Sequence, residues 1–313
     1  MIGRGVVRGP IRGAPVIGFV TDSNAQLPAE LVERYAAEVV ALTVTIDGTP
    51  YLEGIDIDAD GFYARFESGT PEVSTSQPSP GRFAEAYARL AARGVDEILS
   101  VHIGSSVSGT INAARIAAEG ASARVRLVDT GTASFGVSCC LWEAAEAVAA
   151  GAGLDDAARV AERVAATVDN VFIVGGLDLA RAGGRLARDV QAVGAIPVLR
   201  LVRGVIETVG EAHDLDEAAE VMASFVESSG LAGPGGHKPG LAGPGGHKPA
   251  SALRVGVGVA DAATSPLGEA LVARLSAATE VLEVVRYRIG PSVGVHTGPG
   301  SVGAIFYPAG RQS

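Results

Sequence analysis

The chain is poor in cysteine: there are two in 313 residues, and they are adjacent, Cys139-Cys140. Neighbouring cysteines close a disulfide only under strain, and two thiols without further ligands do not make a metal site, so neither a disulfide framework nor a zinc module is expected. Their setting, the apolar CCLWEAAEAVAA, predicts buried thiols on a helix. Charge is also scarce, at 19% of residues, and 25 basic side chains face 35 acidic ones for a formal net charge of −10. That balance argues against nucleic acid or an anionic membrane surface as the main partner. Long hydrophobic runs are missing as well. The mean hydropathy is +0.29, yet charge, Gly or Pro interrupts every apolar stretch before the roughly 20 residues a membrane span needs. The opening MIGRGVVRGPIRGAP holds three arginines, and the apolar run behind it, Val16 to Val20, is too short for a signal-peptide core. It reads as a flexible leader, residues 1–15, on a cytoplasmic protein.

Hydrophobic residues, by contrast, make up 47% of the chain, and its length suggests two α/β domains at roughly 100 to 200 residues each. Short β-branched runs alternate with helical patterns through the first half, as in a wound α/β domain with a mainly parallel sheet. Thus VIGFV (16–20) precedes LPAELVERYAA, VVALTVTI (39–46) reads as one strand, EILSVHI (97–103) precedes INAARIAAEG, and VRLVD (125–129) precedes SFGVSCCLWEAAEAVAA. In the second half PVLRLV (197–202) and VIETVGEA (205–212) flank a turn at Gly204, which implies a hairpin and a mixed or antiparallel sheet with helices. The expected domains are 16–170 and 171–308, with a tail at 309–313. Residues 230–239, GLAGPGGHKP, recur letter for letter as 240–249. Six glycines and prolines in ten exclude a helix or a central strand there, and His237 with His247 lack the third ligand of a metal site. A duplicated, solvated loop is the expectation.

Chemistry concentrates in polar loops that follow strands. SSVSGT (105–110) places four hydroxyls, Ser105, Ser106, Ser108 and Thr110, in six positions at a strand-to-helix junction. Helix N-termini there offer unpaired N–H groups to an anion; capping by Ser108 accounts for one serine, or two, but not for four hydroxyls. VTDSNAQLP (20–28) and VSTSQPSPGRF (73–83) are similar, and in wound α/β folds such loops converge outside the carboxyl ends of strands. Near the C-terminus GVHTGPGSVG has the spacing G-x-G-x-x-G, but a strand follows instead of a helix, so a dinucleotide site is not expected. A hydrolase lacks the second glycine of a nucleophile elbow, and His102 or His296 has no orienting acid identifiable in the sequence. An enzyme that holds a phosphosugar or another small anion on the serine loop stays open on these residues alone.

VTDSNAQLP, VSTSQPSPGRF, SVHIGSSVSGTINAA, LARAGGRL (179–186) and GVHTGPGSVG, in this order from about residue 16 to 308, resemble the DegV family, the fatty-acid-binding subunits of a bacterial fatty acid kinase. The resemblance implies two α/β domains with one long-chain fatty acid, of the C14 to C18 class, buried between them. It implies Thr75 and Ser106 as the principal carboxylate contacts, with Ser76, Ser105, His296 and Thr297 beside them. It further implies no catalytic residue, metal or cofactor beyond the bound lipid, and a separate ATP-dependent kinase subunit docking near Arg185. His213 stands where the family usually has an arginine. A monomer is expected, and a lipid carrier or sensor without a kinase is the alternative within the same resemblance.

Overall fold

The computed structural model describes residues 15–175, 195–202, 205–232 and 252–309. In chain order, β1 (Ile17–Asp22), α1 (Ala29–Tyr35) and β2 (Glu38–Val40) come first, then β3 (Thr43–Ile46), β4 (Thr49–Leu52), α2 (Ala59–Tyr63) and β5 (Val73–Ser76). Next are α3 (Pro80–Ala92), β6 (Glu97–His102), α4 (Thr110–Ala118), β7 (Arg124–Asp129), α5 (Phe135–Ala149) and α6 (Leu154–Ala165). The remainder comprises β8 (Asp169–Ile173), β9 (Ile196–Val202), β10 (Val205–Ala212), α7 (Leu215–Ala232), β11 (Leu253–Val259), α8 (Ser265–Ala277), β12 (Val281–Arg288), α9 (Pro291–Thr297) and β13 (Val302–Pro308).

These elements form two compact units that are not contiguous in sequence: 1–42, 77–133 and 137–165 make one, and 43–76, 134–136 and 166–313 the other. This corrects a single boundary near residue 170. The run VVALTVTI, expected as one strand, is two. Its ladder with β1 ends at Val40, the Leu42 N–H turns to the Ser23 hydroxyl at 3.0 Å, and Thr43 starts a strand in another sheet. Segment 43–76 belongs to the second unit because its side chains are held there. Glu53 accepts the Ser292 N–H at 2.8 Å, Arg288 pairs with Asp60, and Phe62 and Tyr63 press against Gly294.

The first unit is the expected wound domain. Its four strands run in the order β2-β1-β6-β7, every neighbouring pair parallel. Val20, Ile98, Phe83, Tyr87, Leu90, Ala113, Ala114 and Ala117 pack into one core between the sheet and helices α3 and α4. Helix α6 packs against β6 and β7. Most of α5 is sealed, and its Cys139 and Cys140 are buried thiols. Burial pushes the Cys140 thiol well above its ordinary range.

The second unit carries a six-stranded mixed sheet, β10-β9-β8-β13-β11-β12. The predicted hairpin is present, with Val202 opposite Val205; its two turn residues lie outside the described residues. Along β11 the pattern VGVGV divides the faces. Val255 and Val257 join Met222, Phe225, Leu267 and Leu271 of α7 and α8 in one core, whereas a Cβ on Gly256 or Gly258 would fall 2.3 Å from the rings of Phe135 and Tyr287, respectively. Those rings stack at 4.7 Å between centroids, so the two glycines make room for the aromatic pair. Helix α7 extends to Ala232, three residues into the first GLAGPGGHKP copy, which the sequence reading had kept out of any helix; residues 233–249 lie outside the described set. A separate antiparallel sheet, β4-β3-β5, packs with α9.

Candidate functional site

The strand order of the first unit sets up a site before any side chain is considered. From β1 the chain turns to β2 on one side and later enters β6 on the other, so the carboxyl ends of β1 and β6 flank a topological switch point, where open parallel sheets bind ligands. The Asp22-Ser23 bend follows β1 and the serine turn follows β6.

Within SSVSGT the hydroxyls have different employment. Ser105 donates its N–H to Asp129 Oδ1 at 3.0 Å, and the Gly131 N–H reaches the same atom at 3.1 Å. Partial burial alone would raise the Asp129 carboxyl; hydrogen bonds from the Ser105 hydroxyl and N–H and from Gly131, aided by Arg115, outweigh it and hold the group below its usual range. Ser108 Oγ lies 2.8 Å from Thr110 Oγ1 and also accepts the Thr110 N–H at 3.3 Å. It therefore serves the helix start from one residue before Gly109, the residue at the cap position itself. Ser106 is exposed, and its hydroxyl makes no hydrogen bond among the described residues. The turn is tightly based: a Cβ on Gly104 would stand 2.7 Å from the Gly131 backbone, and one on Gly109 would overlap the Gln77 amide.

The other expected contacts lie in the second unit. Thr75 is directly opposite Val44 on β3, so it shares a sheet face with the buried Val44 and Ile46. Ser76, one residue on, is opposite Thr43 and faces the other way, exposed with Ser74. Neither the Thr75 nor the Ser76 hydroxyl is hydrogen-bonded among the described residues. His296 and Thr297 end α9, the short helix that packs against β3 and β5; both are half-buried. Thr297 Oγ1 turns back to the Val293 carbonyl at 3.3 Å. Ser105 and Ser106 thus belong to one unit, and Thr75, Ser76, His296 and Thr297 to the other. Arg185 lies outside the described residues. His213 is exposed and contacts Glu217 Oε2 through Nδ1 at 2.9 Å.

Sequence reasoning missed a buried polar chain beneath the serine turn. His102 Nδ1 lies 2.9 Å from Asp22 Oδ2, and Nε2 lies 2.6 Å from Ser100 Oγ, which in turn meets the Tyr87 hydroxyl at 3.0 Å. The acid that a histidine base would require is present, 80 residues away in sequence. The arrangement resembles a Ser-His-Asp triad in connectivity only. Ser100, His102 and Asp22 are all at 0% exposure, and a nucleophile must reach its substrate. Alternation along EILSVH, which puts Ser100 and His102 on one strand face, was the available signal; its partner on β1 was not.

No helix among the described residues is long and apolar enough to cross a membrane. The family model described as "Uncharacterised protein, DegV family" matches residues 16–309. A DegV domain-containing protein of Streptomyces coelicolor is 33% identical over 294 residues, 92% of this chain and 97% of that one. A second, from Deinococcus radiodurans, is 31% identical over 93% of this chain and 98% of its own length. Among solved structures, one described as fatty acid binding of a DegV family protein from Thermus thermophilus matches with a TM-score of 0.79 at 29% identity, covering 94% of this chain and all of the other. A family match over nearly the whole length, together with the two-unit α/β architecture these proteins share, makes this chain a member of the DegV family.

Proposed function

We propose that this protein binds one long-chain fatty acid, of the C14 to C18 class, and presents its carboxylate to a separate ATP-dependent kinase subunit that forms the acyl-phosphate. The protein itself is the non-catalytic, substrate-holding partner. The observation that carries the reading is Ser106, an exposed hydroxyl with no hydrogen bond among the described residues, at the carboxyl end of β6 beside the switch point, while Ser105, Ser108 and Thr110 are engaged locally. The fatty acid binding described for the Thermus thermophilus relative supplies the ligand class. Thr75 and Ser106 are the principal contacts in this proposal, with Ser76, Ser105, His296 and Thr297 assisting, and Arg185 contacts the kinase.

The chemistry suits these residue types. A methylene contributes about 0.8 kcal/mol on burial, so roughly 14 of them supply on the order of 11 kcal/mol before ordering costs, and the tail dominates affinity. The head group must still be hydrogen-bonded, because an unpartnered anion out of water is heavily penalised. Neutral hydroxyls do this without withdrawing the electron density that the carboxylate needs to attack the terminal phosphate of ATP. An arginine fork would bind it more strongly and blunt that attack.

The test is to denature the purified protein, extract it with organic solvent and examine the extract by mass spectrometry. One equivalent of a C14 to C18 acid is expected. The absence of any extracted acid, together with no thermal stabilisation by added hexadecanoic acid, would overturn the proposal.

A further inference from the structure

The buried chain from Asp22 to Tyr87 is unused by the binding proposal, yet it joins the elements that bear the polar loops. Asp22 ends β1, His102 and Ser100 lie on β6 directly before the serine turn, and Tyr87 lies on α3, which follows the VSTSQPSP segment. Burial pushes the Tyr87 phenol up to about 12, against the opposing Ser100 hydrogen bond, so the phenol keeps its proton, and it lies 3.0 Å from Ser100 Oγ. Ser100 Oγ lies in turn against His102 Nε2, and His102 Nδ1 faces Asp22 Oδ2. The same carboxylate oxygen takes the Ile103 N–H at 3.2 Å, so Asp22 grips the backbone one residue before Gly104. Tyr87 also reaches the Ala114 carbonyl of α4 at 3.4 Å, on the far side of the turn.

This set is costly for a purely structural tie. Asp22 is fully buried, and its Oδ1 makes no hydrogen bond among the described residues. Apolar packing would hold two parallel strands with no such penalty, and Phe83 already lies edge-on to the His102 ring at 5.0 Å. Groups that hold a binding atom in place are where such costs recur.

We infer that the Asp22-His102-Ser100-Tyr87 chain is a positioning device that fixes the Ser105-Ser106 turn for the ligand's carboxylate. The inference rests on the fatty-acid reading, and its effect belongs to the head group alone, not to the tail. Asp22→Asn keeps the shape, removes the charge that orients His102, and leaves every apolar contact intact.

The experiment compares hexadecanoic acid with hexadecan-1-ol, which shares the tail but lacks the carboxylate, in wild type, Asp22→Asn, Ser106→Ala and the double variant. Wild type is expected to prefer the acid. Asp22→Asn should lower acid affinity about tenfold without changing alcohol affinity, and should have a much smaller effect in the Ser106→Ala background, since both act through the same turn. An unchanged acid-to-alcohol ratio in Asp22→Asn, or effects that simply add, would overturn the positioning role. A wild-type protein that takes neither probe would instead overturn the fatty-acid reading, and the inference with it. Should Asp22→Asn fail to fold, Tyr87→Phe, which removes one hydroxyl from the far end of the chain, should lower the same ratio about threefold; an unchanged ratio in that variant also overturns the role.

Discussion

Ser105 and Asp129 are joined through the backbone: the Ser105 N–H lies 3.0 Å from Asp129 Oδ1, and the Gly131 N–H reaches the same oxygen at 3.1 Å. The carboxyl is held below its ordinary value of 3.8, so its ionised form favours the folded chain. That contribution is complete above the ordinary value and is lost as pH falls through the lowered one. Thermal midpoints of wild type should therefore exceed those of Asp129→Asn near neutral pH, and the gap should close in acid below about pH 4. A gap independent of pH would mean that Asp129 acts by shape alone.

The hydroxyls of one turn should separate by function. Ser106→Ala should lower affinity for hexadecanoic acid by about tenfold or more, the loss of one hydrogen bond to a charged group, with an unchanged thermal midpoint. Ser108→Ala should do the reverse, costing about 0.5–1.5 kcal/mol of stability through the Thr110 N–H while leaving acid affinity intact. Calorimetric titration and denaturation of both variants measure the pair.

At the base of the turn, Gly104→Ala brings a methyl to 2.7 Å from the Gly131 backbone, which has no rotamer by which to retreat. A loss of about 1–3 kcal/mol is expected, read as a lower urea midpoint with an unchanged slope.

In the other unit, Glu53 is buried and accepts the Ser292 N–H at the start of α9. Glu53→Ala removes that acceptor from a buried site and should cost about 1–3 kcal/mol, whereas Glu53→Gln retains an acceptor and should cost less. Equal losses in urea denaturation would show that charge, rather than the hydrogen bond, is what matters there.

How far the sequence can be read follows from the range of each interaction. Strands β1, β6 and β7 and helices α3 and α4 announce themselves through local periodicity, and Ser106 through a polar run where an apolar protein should not have one. Segment 43–76 does not, because nothing inside VVALTVTI marks the place where the chain changes sheets; the cause is the Ser23 hydroxyl, 19 residues back. The Asp22-His102 pair spans 80 residues, and Glu53-Ser292 spans 239. Thr75 and Ser76 looked equivalent in VSTSQ, and only the register against β3 separates the face of Val44 from the face of Thr43. Buried polar pairs leave no period, and register is fixed by partners that a local window never contains.

The position of β13 has a consequence for how the protein is made. Val302–Pro308 lies between β8 and β11, in the interior of the six-strand sheet. On the ribosome, Asp169–Ile173 emerges well over a hundred residues before the strand that will pair with it, and β11 waits for the same partner. Until then both present open edges, the form in which β-structure recruits the wrong neighbour. The second unit is consequently the one whose β8 edge waits longest in the growing chain for its partner strand.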